Sequence, residues 1–515
     1  MAEQPLSDLS TENVDHPAPA PTVEELKASL QREVDGLVEW VLHCRTLTFY
    51  AFETQLVPKV LVLGCLFVRL FLCMREEQWQ ATQPQPPAKY KRLGPLGRQL
   101  GTVCGKVFYW RTYFYRKGQG YYPLDLELGL TSDGFSMRLR SLAARLATKV
   151  SYAQAVLVLG WFLEWSPAQE SIEGMVLGLG RYTPAWFESA PAPLGDGEVL
   201  VIQIDSKATP TATEAELAKR RGPRRPNPHP GSPRHRGRAV RQQRGAKPRR
   251  QKGDKAKNGK AATIVTLYTL KNSPAGQLVG PLNKKVYASY APKRHAVAIA
   301  RREADKRGFA RDRGKTIQIV TDGDNDLQRY IEEFFPEAIH TIDVYHVTEY
   351  LWEAGECLYA EGSAELVAWV NTQKAALYDG RAAEIVAEID RRLAQLDSAQ
   401  TSVRTRLQKV HDYLAKRVAK LNYKELQEQD LEISSGAVEG AVNYVIAKRF
   451  DEGGMRWIKE RAEALLQLRC IEVNNDWEAF IAFVHDQILQ QTQRDHTNLS
   501  LKCTKPAPLP TYGLT

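Results

Sequence analysis

The hydrophobic pattern changes its period several times along the chain. Leu26, Leu30, Val34, Leu37, Val38 and Val41 recur at helical spacing behind Thr22, which predicts a helix capped by Thr22. A second helix is expected over about 55–80. Within it, Pro58, Lys59 and Arg69 leave an unbroken apolar run of only about half the roughly 20 residues that a membrane span needs, so a buried helix is expected over Val57–Met74. The segment 91–130 is dense in aromatic and β-branched residues punctuated by glycine and predicts a small β-hairpin unit. Residues 131–190 break into three short amphipathic blocks, SMRLRSLAARLATKV, SYAQAVLVLGWFLEW and SPAQESIEGMVLGLG, the last opened by an apparent capping box of Ser166, Pro167 and Gln169. Three short helices with tight turns predict either a helix-turn-helix that reads DNA or a plain bundle that only packs.

From residue 198 the pattern becomes that of an α/β domain. EVLVIQIDSKA reads as a strand ending in Asp205, AATIVTLYTLK and KKVYASYAP as two more strands, and KRHAVAIARREADKRGF as a helix. TIQIVTDGDND is a further apolar strand ending in an acidic cluster, LQRYIEEFFP a helix stopped by Pro336, and AIHTIDVYH a strand carrying Asp343 and His346. Residues 348–432 are helical almost throughout and form an all-helical insertion, and 433–490 form a last helical block. The polar, proline-rich tail 1–21 is expected to be disordered, 22–90 forms N-terminal helices, 198–347 holds the first part of the α/β core, and 491–515 is a tail.

Charge sharpens this layout. The net charge of +10 is not spread evenly: residues 212–260 hold 17 Lys and Arg against Glu214, Glu216 and Asp254, a local balance of +14 that leaves the rest of the chain at −4. Such a segment cannot form a core, so a flexible loop that meets DNA phosphates, through Arg220, Arg221, Arg249 and Arg250 among others, is expected between the first two core strands. The seven cysteines are odd in number and scattered, with no CxxC pair, which fits a reducing cytosol better than a disulfide framework or a zinc site. The acidic start of the chain, with Glu3, Asp8, Glu12 and Asp15, lacks the basic and apolar regions of a signal peptide. A cytoplasmic, nucleoid-associated protein is expected.

The carboxylates carry the candidate chemistry. Cleaving a phosphodiester without a covalent protein intermediate needs an activated oxygen and relief of charge on the leaving oxygen, which two Mg²⁺ ions held by carboxylates supply, with Mn²⁺ as a substitute. Asp205 and Asp322 each close an apolar strand, and neighbouring strands would bring them together at one sheet edge. Glu439 lies in a predicted helix of small residues (Ser435, Gly436, Ala437, Gly440, Ala441) that would allow a close approach to that edge. Each residue has a plainer reading: an aspartate after a strand is a common turn former or cap, Asp324 or Asp326 are alternatives to Asp322, and Glu439 alone is an ordinary solvated residue. The order strand–Asp, strands, helix, strand–Asp, helical block, helix–Glu is more specific than any member of it.

That order resembles the RNase H-like catalytic core of DDE transposases, a mixed sheet flanked by helices, and Asp343-Val-Tyr-His346 matches the D-x-x-H signature of many such families. More locally, GQGYYPLDLELGL, VTDGDNDLQRYIEEFFPEAIHTIDVYHVTEYLW and ISSGAVEGAVNYVIAKRFDEGGMRW resemble the ISKra group of bacterial insertion-sequence transposases, over roughly residues 90–485. The chain departs from these relatives where Tyr115, Arg116, Lys117 and Gly118 stand in place of their cysteine pairs, which argues against a zinc site in 91–130. The resemblance implies a transposase that cleaves at terminal inverted repeats and transfers the strands into target double-stranded DNA, as a homodimer or larger assembly on DNA. Asp205, Asp322 and Glu439 would be its metal-binding catalytic residues. Asp343, His346 and Asn443 would act behind them, and His346 reads equally as a satisfied buried histidine. Lys448, Arg449 and Arg456 are candidate backbone contacts or a solvated basic face, and Trp352 and Trp369 either stack on an unpaired base or pack in a core. An inactive DNA-binding relative and a nuclease on the same core remain the alternatives.

Overall fold

In the computed structural model the described residues are 20–498, apart from 83–84, 88, 118, 216–258, 312–313, 398–399 and 453–454. The expectations for Arg220, Arg221, Arg249 and Arg250, for 1–19 and for 499–515 lie outside them. The described residues divide into two units, 20–182 with 477–498 and 183–476. The sequence pattern had kept 433–490 together, but the helix Trp477–Asn498 groups with the first unit.

In the first unit, the helix Val23–His43 opens with Thr22, whose side chain accepts from the Glu25 amide while the Glu25 carboxylate accepts from the Thr22 amide. The helix Phe49–Ala81 follows and runs for 33 residues. Next come three antiparallel strands, β1 (Lys91–Thr102), β2 (Gly105–Arg116) and β3 (Gln119–Tyr121). Cys65, Val68 and Leu72 of the long helix pack with Leu100, Val107 and Tyr109 of the hairpin and with Leu124. Asp125, in the GYYPLD stretch, is buried and accepts from Arg98 at 2.7 Å, Arg111 at 2.9 Å and the Tyr109 hydroxyl at 2.6 Å. A buried carboxylate satisfied on both oxygens by two cations and a hydroxyl fixes the short helix Pro123–Glu127 to the sheet, so this aspartate has a structural task.

Two expectations fail in this unit. The long helix is not buried: Val57, Val60, Phe67 and Phe71 face solvent. By length and composition alone it is also apolar enough to cross a membrane. The helix Gln169–Gly180 does not start on a capping box, because Ala168 is its cap residue and the Ser166 hydroxyl turns to the Pro167 carbonyl. Three helices, Met137–Lys149, Tyr152–Leu163 and Gln169–Gly180, do succeed one another there, and the capping box falls one helix earlier, on Ser151 and Gln154.

The second unit is a mixed α/β domain built on five strands in the order β6-β5-β4-β7-β8, with β4 Val199–Pro210, β5 Gly259–Asn272, β6 Leu278–Ser289, β7 Thr316–Thr321 and β8 Ile339–Ile342. β4 is central, antiparallel to β5 and parallel to β7, and β8 continues the parallel side. A strand with neighbours on both edges and helices on its faces reads as a continuous apolar run, and Val199–Ile204 is buried throughout. One core joins Val199, Val201 and Tyr268 of the sheet to Leu351, Val370, Ile389, Leu407 and Leu414 of the inserted helices. The helix Lys293–Lys306 packs on β5 and β6, and the helix Lys459–Val473 on β6.

The boundaries of the basic insert also move. Ala212 donates to the Trp457 carbonyl, the Trp457 amide donates to Pro210, Glu214 pairs with Arg461, and β5 already starts at Gly259. Both flanks of the 212–260 segment are therefore structured. The strand expected to carry Asp343 and His346 ends at Ile342, and these two residues instead open the helix Val344–Leu358.

Candidate metal centre

The register of the parallel strands assembles the acidic edge. Ile204 of β4 lies opposite Thr321 of β7, and Thr321 lies opposite Ile342 of β8. Asp205, Asp322 and Asp343 are the next residue in each case, so three adjacent parallel strands lead to three aspartates at one edge.

Glu439 reaches the same edge through buried amides. The Gln203 side chain donates to the Ser434 carbonyl at 3.1 Å and accepts from the Val438 amide at 2.9 Å. Gln318 donates to the Glu432 carbonyl at 2.6 Å and accepts from the Glu432 amide at 3.0 Å. Two buried glutamines, one on β4 and one on β7, thus hold the 432–438 segment against the sheet just before Glu439. Buried amides left unpaired are costly, and these pairings hold the segment in one position. The two glycines are not what permits the approach, since a side chain added at Gly436 or Gly440 meets nothing within 4 Å, whereas the small Ser435 and Ala441 are buried there together with Val438.

The four carboxylates have different surroundings. Asp343 is fully buried; its Oδ2 accepts from Ser435 at 2.6 Å and pairs with His346 Nδ1 at 2.9 Å, and its Oδ1 accepts from the Tyr345 amide at 3.0 Å. Against the cost of burial, the hydrogen bonds from His346, Ser435 and the Tyr345 amide hold its carboxyl below the usual range. Asp205 accepts from the Ser206 amide at 2.6 Å and Asp322 from the Asp324 amide at 2.9 Å, each through Oδ1. Burial holds Asp205 above the usual carboxylate range; the Asp322 and Glu439 charges add to that, and the Ser206 amide and His346 oppose it. Its hydrogen bond to Asp343 pushes His346 up to about 9, against burial, with the Asp343 and Asp322 charges assisting.

Among the described residues, Asp343, His346 and Glu439 bring ligand atoms within 4.8 Å of one another and form a cluster able to hold a metal ion. This is not the trio singled out in the sequence. Asp343 has both oxygens engaged, and it orients His346 and Ser435, whose hydroxyl also lies 3.3 Å from Glu439. Asp205 and Asp322 show no hydrogen bond to Oδ2 among the described residues, so each keeps one oxygen for a ligand. The donor set is hard oxygen plus one imidazole, and crowded carboxylates that repel one another suit a divalent cation. Asp324 is committed elsewhere: it caps the helix Asn325–Phe334 and pairs with Lys293 at 2.7 Å. Asp326 is exposed near Arg329.

The inserted helices reach the same loop. The Tyr413 hydroxyl donates to the Asp322 carbonyl at 2.9 Å, while buried Arg417 donates through Nε to the Gly323 carbonyl at 3.1 Å and through a terminal nitrogen to Asn325 Oδ1 at 2.7 Å. Gly323 has φ +82°, and a Cβ there would lie 2.6 Å from the Tyr413 hydroxyl, so this turn accepts only glycine.

The remaining candidates divide. Asn443, Lys448 and Arg456 are exposed, Asn443 and Lys448 on a π-helical stretch Val442–Asp451, and Trp352 is 36% exposed. Arg449 is 2% exposed, with its guanidinium over the Trp457 ring at 4.7 Å, and so belongs to the core and not to a DNA contact. Trp369, 7% exposed, packs among Leu366, Val370 and Leu393 and offers no face to a base. Sequence reasoning missed Gln203, Gln318, Tyr413 and Arg417, and it read Ser435 only as a small residue and not for its hydroxyl. Only the glutamines gave a signal, as lone polar residues inside the otherwise apolar runs VLVIQID and TIQIVTD.

No family model matches the chain. No curated protein matches it either. Among solved structures it is similar to a Drosophila P element transposase strand transfer complex at 12% identity, covering 76% of this chain and 92% of that chain, with a TM-score of 0.21, a superposition too poor to carry an argument.

Proposed function

We propose that this chain is a DNA transposase of a bacterial insertion sequence, with an RNase H-like core and a DDE site formed by Asp205, Asp322 and Glu439. The observation that carries the reading is the meeting of Asp205 and Asp322 at adjacent parallel strand ends with a glutamate-bearing segment tied to those strands by Gln203 and Gln318. The motif resemblance supplies the reaction class.

In this reading Asp205, Asp322 and Glu439 hold two divalent cations, Mg²⁺ or Mn²⁺ in its place, which would supply activation of the attacking oxygen and charge relief on the leaving oxygen. Asp343 holds His346 and Ser435 in place behind that edge, and His346 adds positive charge beside the aspartates. Exposed Lys448, Arg456 and Trp352 are available to DNA, and Asn443 to a phosphate. The substrates are terminal inverted repeats and target double-stranded DNA in the cytoplasm, bound by two or more copies of the chain.

The test is to incubate the purified chain with Mg²⁺ and a labelled terminal repeat taken from the flanks of its gene. Hydrolysis followed by joined products is the expected result. Hydrolysis alone would make the protein a nuclease, and binding alone an inactive relative.

A further inference from the structure

The first unit contains a cavity of about 330 Å³ bounded by the helix Phe49–Ala81, the start of the helix Val23–His43 and the strands β1 and β2. A bulge in β1 shapes it. Leu93 lies opposite Tyr113 and Leu96 opposite Arg111, so Gly94 and Pro95 share the single position of Thr112. The Thr112 amide donates instead to Glu76 Oε1, at 2.8 Å, and the Thr112 hydroxyl, at 2.6 Å, and Gln80 Nε2, at 2.7 Å, donate to the same oxygen. Glu76 is 6% exposed and lines the cavity, and its other oxygen, Oε2, has no hydrogen-bond partner among the described residues. Arg69 stands two turns earlier on the same side of the helix and lines the cavity too; its buried Nε has no partner among the described residues either. A buried acceptor and a buried donor left open are each costly, and a ligand that brings a donor to one and an acceptor to the other removes both costs.

We propose that this cavity binds a short peptide with free ends and an aromatic side chain, its ammonium on Glu76 and its carboxylate on Arg69. Charge favours a zwitterion. Arg69 and Arg92 line the cavity together with Glu76 and Glu77, a balanced set, whereas a nucleotide would bring a phosphate of about two negative charges beside two carboxylates. Length favours more than one residue. Arg69 and Glu76 are seven positions apart on one helix, about 10 Å along its axis. A single free amino acid does not span that distance, and an extended tripeptide, at about 3.3–3.6 Å per residue, does. Shape favours an aromatic side chain. Phe108 and Trp110 meet edge to face at 4.9 Å, and Leu93 and Pro95 extend the apolar wall that they begin. A Cβ added at Gly94 meets nothing within 4 Å, so the bulged backbone of β1 leaves room beside that wall. The volume lies at the small end of the roughly 300–1,000 Å³ of small-molecule sites, which suits a ligand of this size.

The proposal is independent of the catalytic reading and is tested on the full chain without DNA. Calorimetric titration with the tripeptide Gly-Trp-Gly, under reductant, is expected to show one site with a dissociation constant on the order of 10 μM. Acetylating the amino end of the peptide, or amidating its carboxyl end, is expected to weaken binding about tenfold or more, because each removes a charge-assisted hydrogen bond. Glu76→Gln turns the open acceptor into a donor and is expected to weaken the free peptide as much as acetylation does. Arg69→Gln, whose Nε has no protein partner to lose, covers the case in which Glu76→Gln fails to fold. In that variant the free and the amidated peptide are expected to bind alike. No binding of Gly-Trp-Gly at about 1 mM overturns the proposal. So does undiminished binding of the peptide blocked at both ends, or wild-type affinity in a well-folded Arg69→Gln chain. Adenosine monophosphate binding more tightly than the tripeptide overturns it as well, because the cavity would then belong to a nucleotide.

Discussion

Two apolar runs of similar character meet opposite fates in this molecule. Val199–Ile204 on β4 has a hydrogen-bonded strand on either side and helices over it, and every residue of it is buried. Val57–Met74 is a helix whose backbone is satisfied internally, and much of its apolar surface stays open. The strand needs neighbours for its amides as well as its side chains, so the fold itself must cover it. The helix needs cover only for its side chains, and that cover can come from outside the unit. An apolar run therefore states that a surface is to be covered without stating by what.

The strongest way to sharpen the contrast is at the end of the buried run. Asp205→Asn, Asp322→Asn or Glu439→Gln should each lower cleavage by at least about 10³-fold, and a double substitution should be scarcely worse than a single one, because the ligands act as a unit. Stability should move the other way for Asp205. Its carboxyl is held above the usual range by burial and like charge, so the charged form costs free energy in the fold at neutral pH, and asparagine removes that cost. With chelator present the variant should melt no lower than wild type, and added Mg²⁺ should raise the wild-type melting temperature more than that of the variant. Near-normal cleavage by any of the three would remove that residue from the site.

Within the runs themselves, Ile202→Ala should cost roughly 2–5 kcal/mol, since it empties a fully buried position in a close-packed core. Phe67→Ala, at a concentration where the chain is a single copy, should change urea stability by less than about 0.5 kcal/mol. Equal losses at the two positions would mean that the long helix is covered within the monomer after all.

Acid should also separate a half-buried position on the edge strand β8 from the open surface. Burial drives His340 from its ordinary 6.5 down to about 3, with Lys420 adding to the effect. Between those values the unfolded chain binds a proton that the folded chain refuses, so stability contributed by neutral His340 is present above pH 6.5 and declines as the pH falls toward 3. At pH 5 this amounts to about 2 kcal/mol. Urea denaturation of wild type and His340→Gln at pH 7 and pH 5 should show the variant losing less by about that amount. A parallel loss in both would mean that His340 is hydrated.

How much of this was legible in advance follows from what each residue responds to. The strands ending in Asp205 and Asp322 were legible because local hydropathy and a following turn mark a strand and its end. Asp343 was assigned to a strand when it caps a helix, because a four-residue edge strand followed at once by a helix leaves too little pattern to separate the two. Trp369 and Arg449 read as either DNA contacts or packed residues because the sequence displays residue type and not burial. For Gln203 and Gln318 the polar interruption was visible, but its partners lie more than a hundred residues away, in a segment whose position only the fold fixes. Tyr413 and Arg417 gave no signal, since a tyrosine and an arginine in a helical block look alike whether they face water or a catalytic loop.

That last pair carries the smallest and most discriminating prediction. Tyr413 has its ring stacked on Tyr350 at 3.8 Å and its hydroxyl on the Asp322 carbonyl, so Tyr413→Phe keeps the stack and removes a single hydrogen bond. One hydrogen bond of this kind is worth about 1 kcal/mol in stability. Its larger consequence is for the carboxylate that the Asp322–Gly323 turn presents, because a ligand must be held within about 0.5 Å of its working position to bind a metal well. Direct Mn²⁺ binding should weaken about tenfold, and cleavage at limiting metal should fall by the same factor, while saturating metal restores most of the rate. A purely structural tyrosine would lower the melting temperature and leave the metal dependence where it was. If Asp322→Asn also left Mn²⁺ binding unchanged, the fault would lie with the site assignment and not with the clamp.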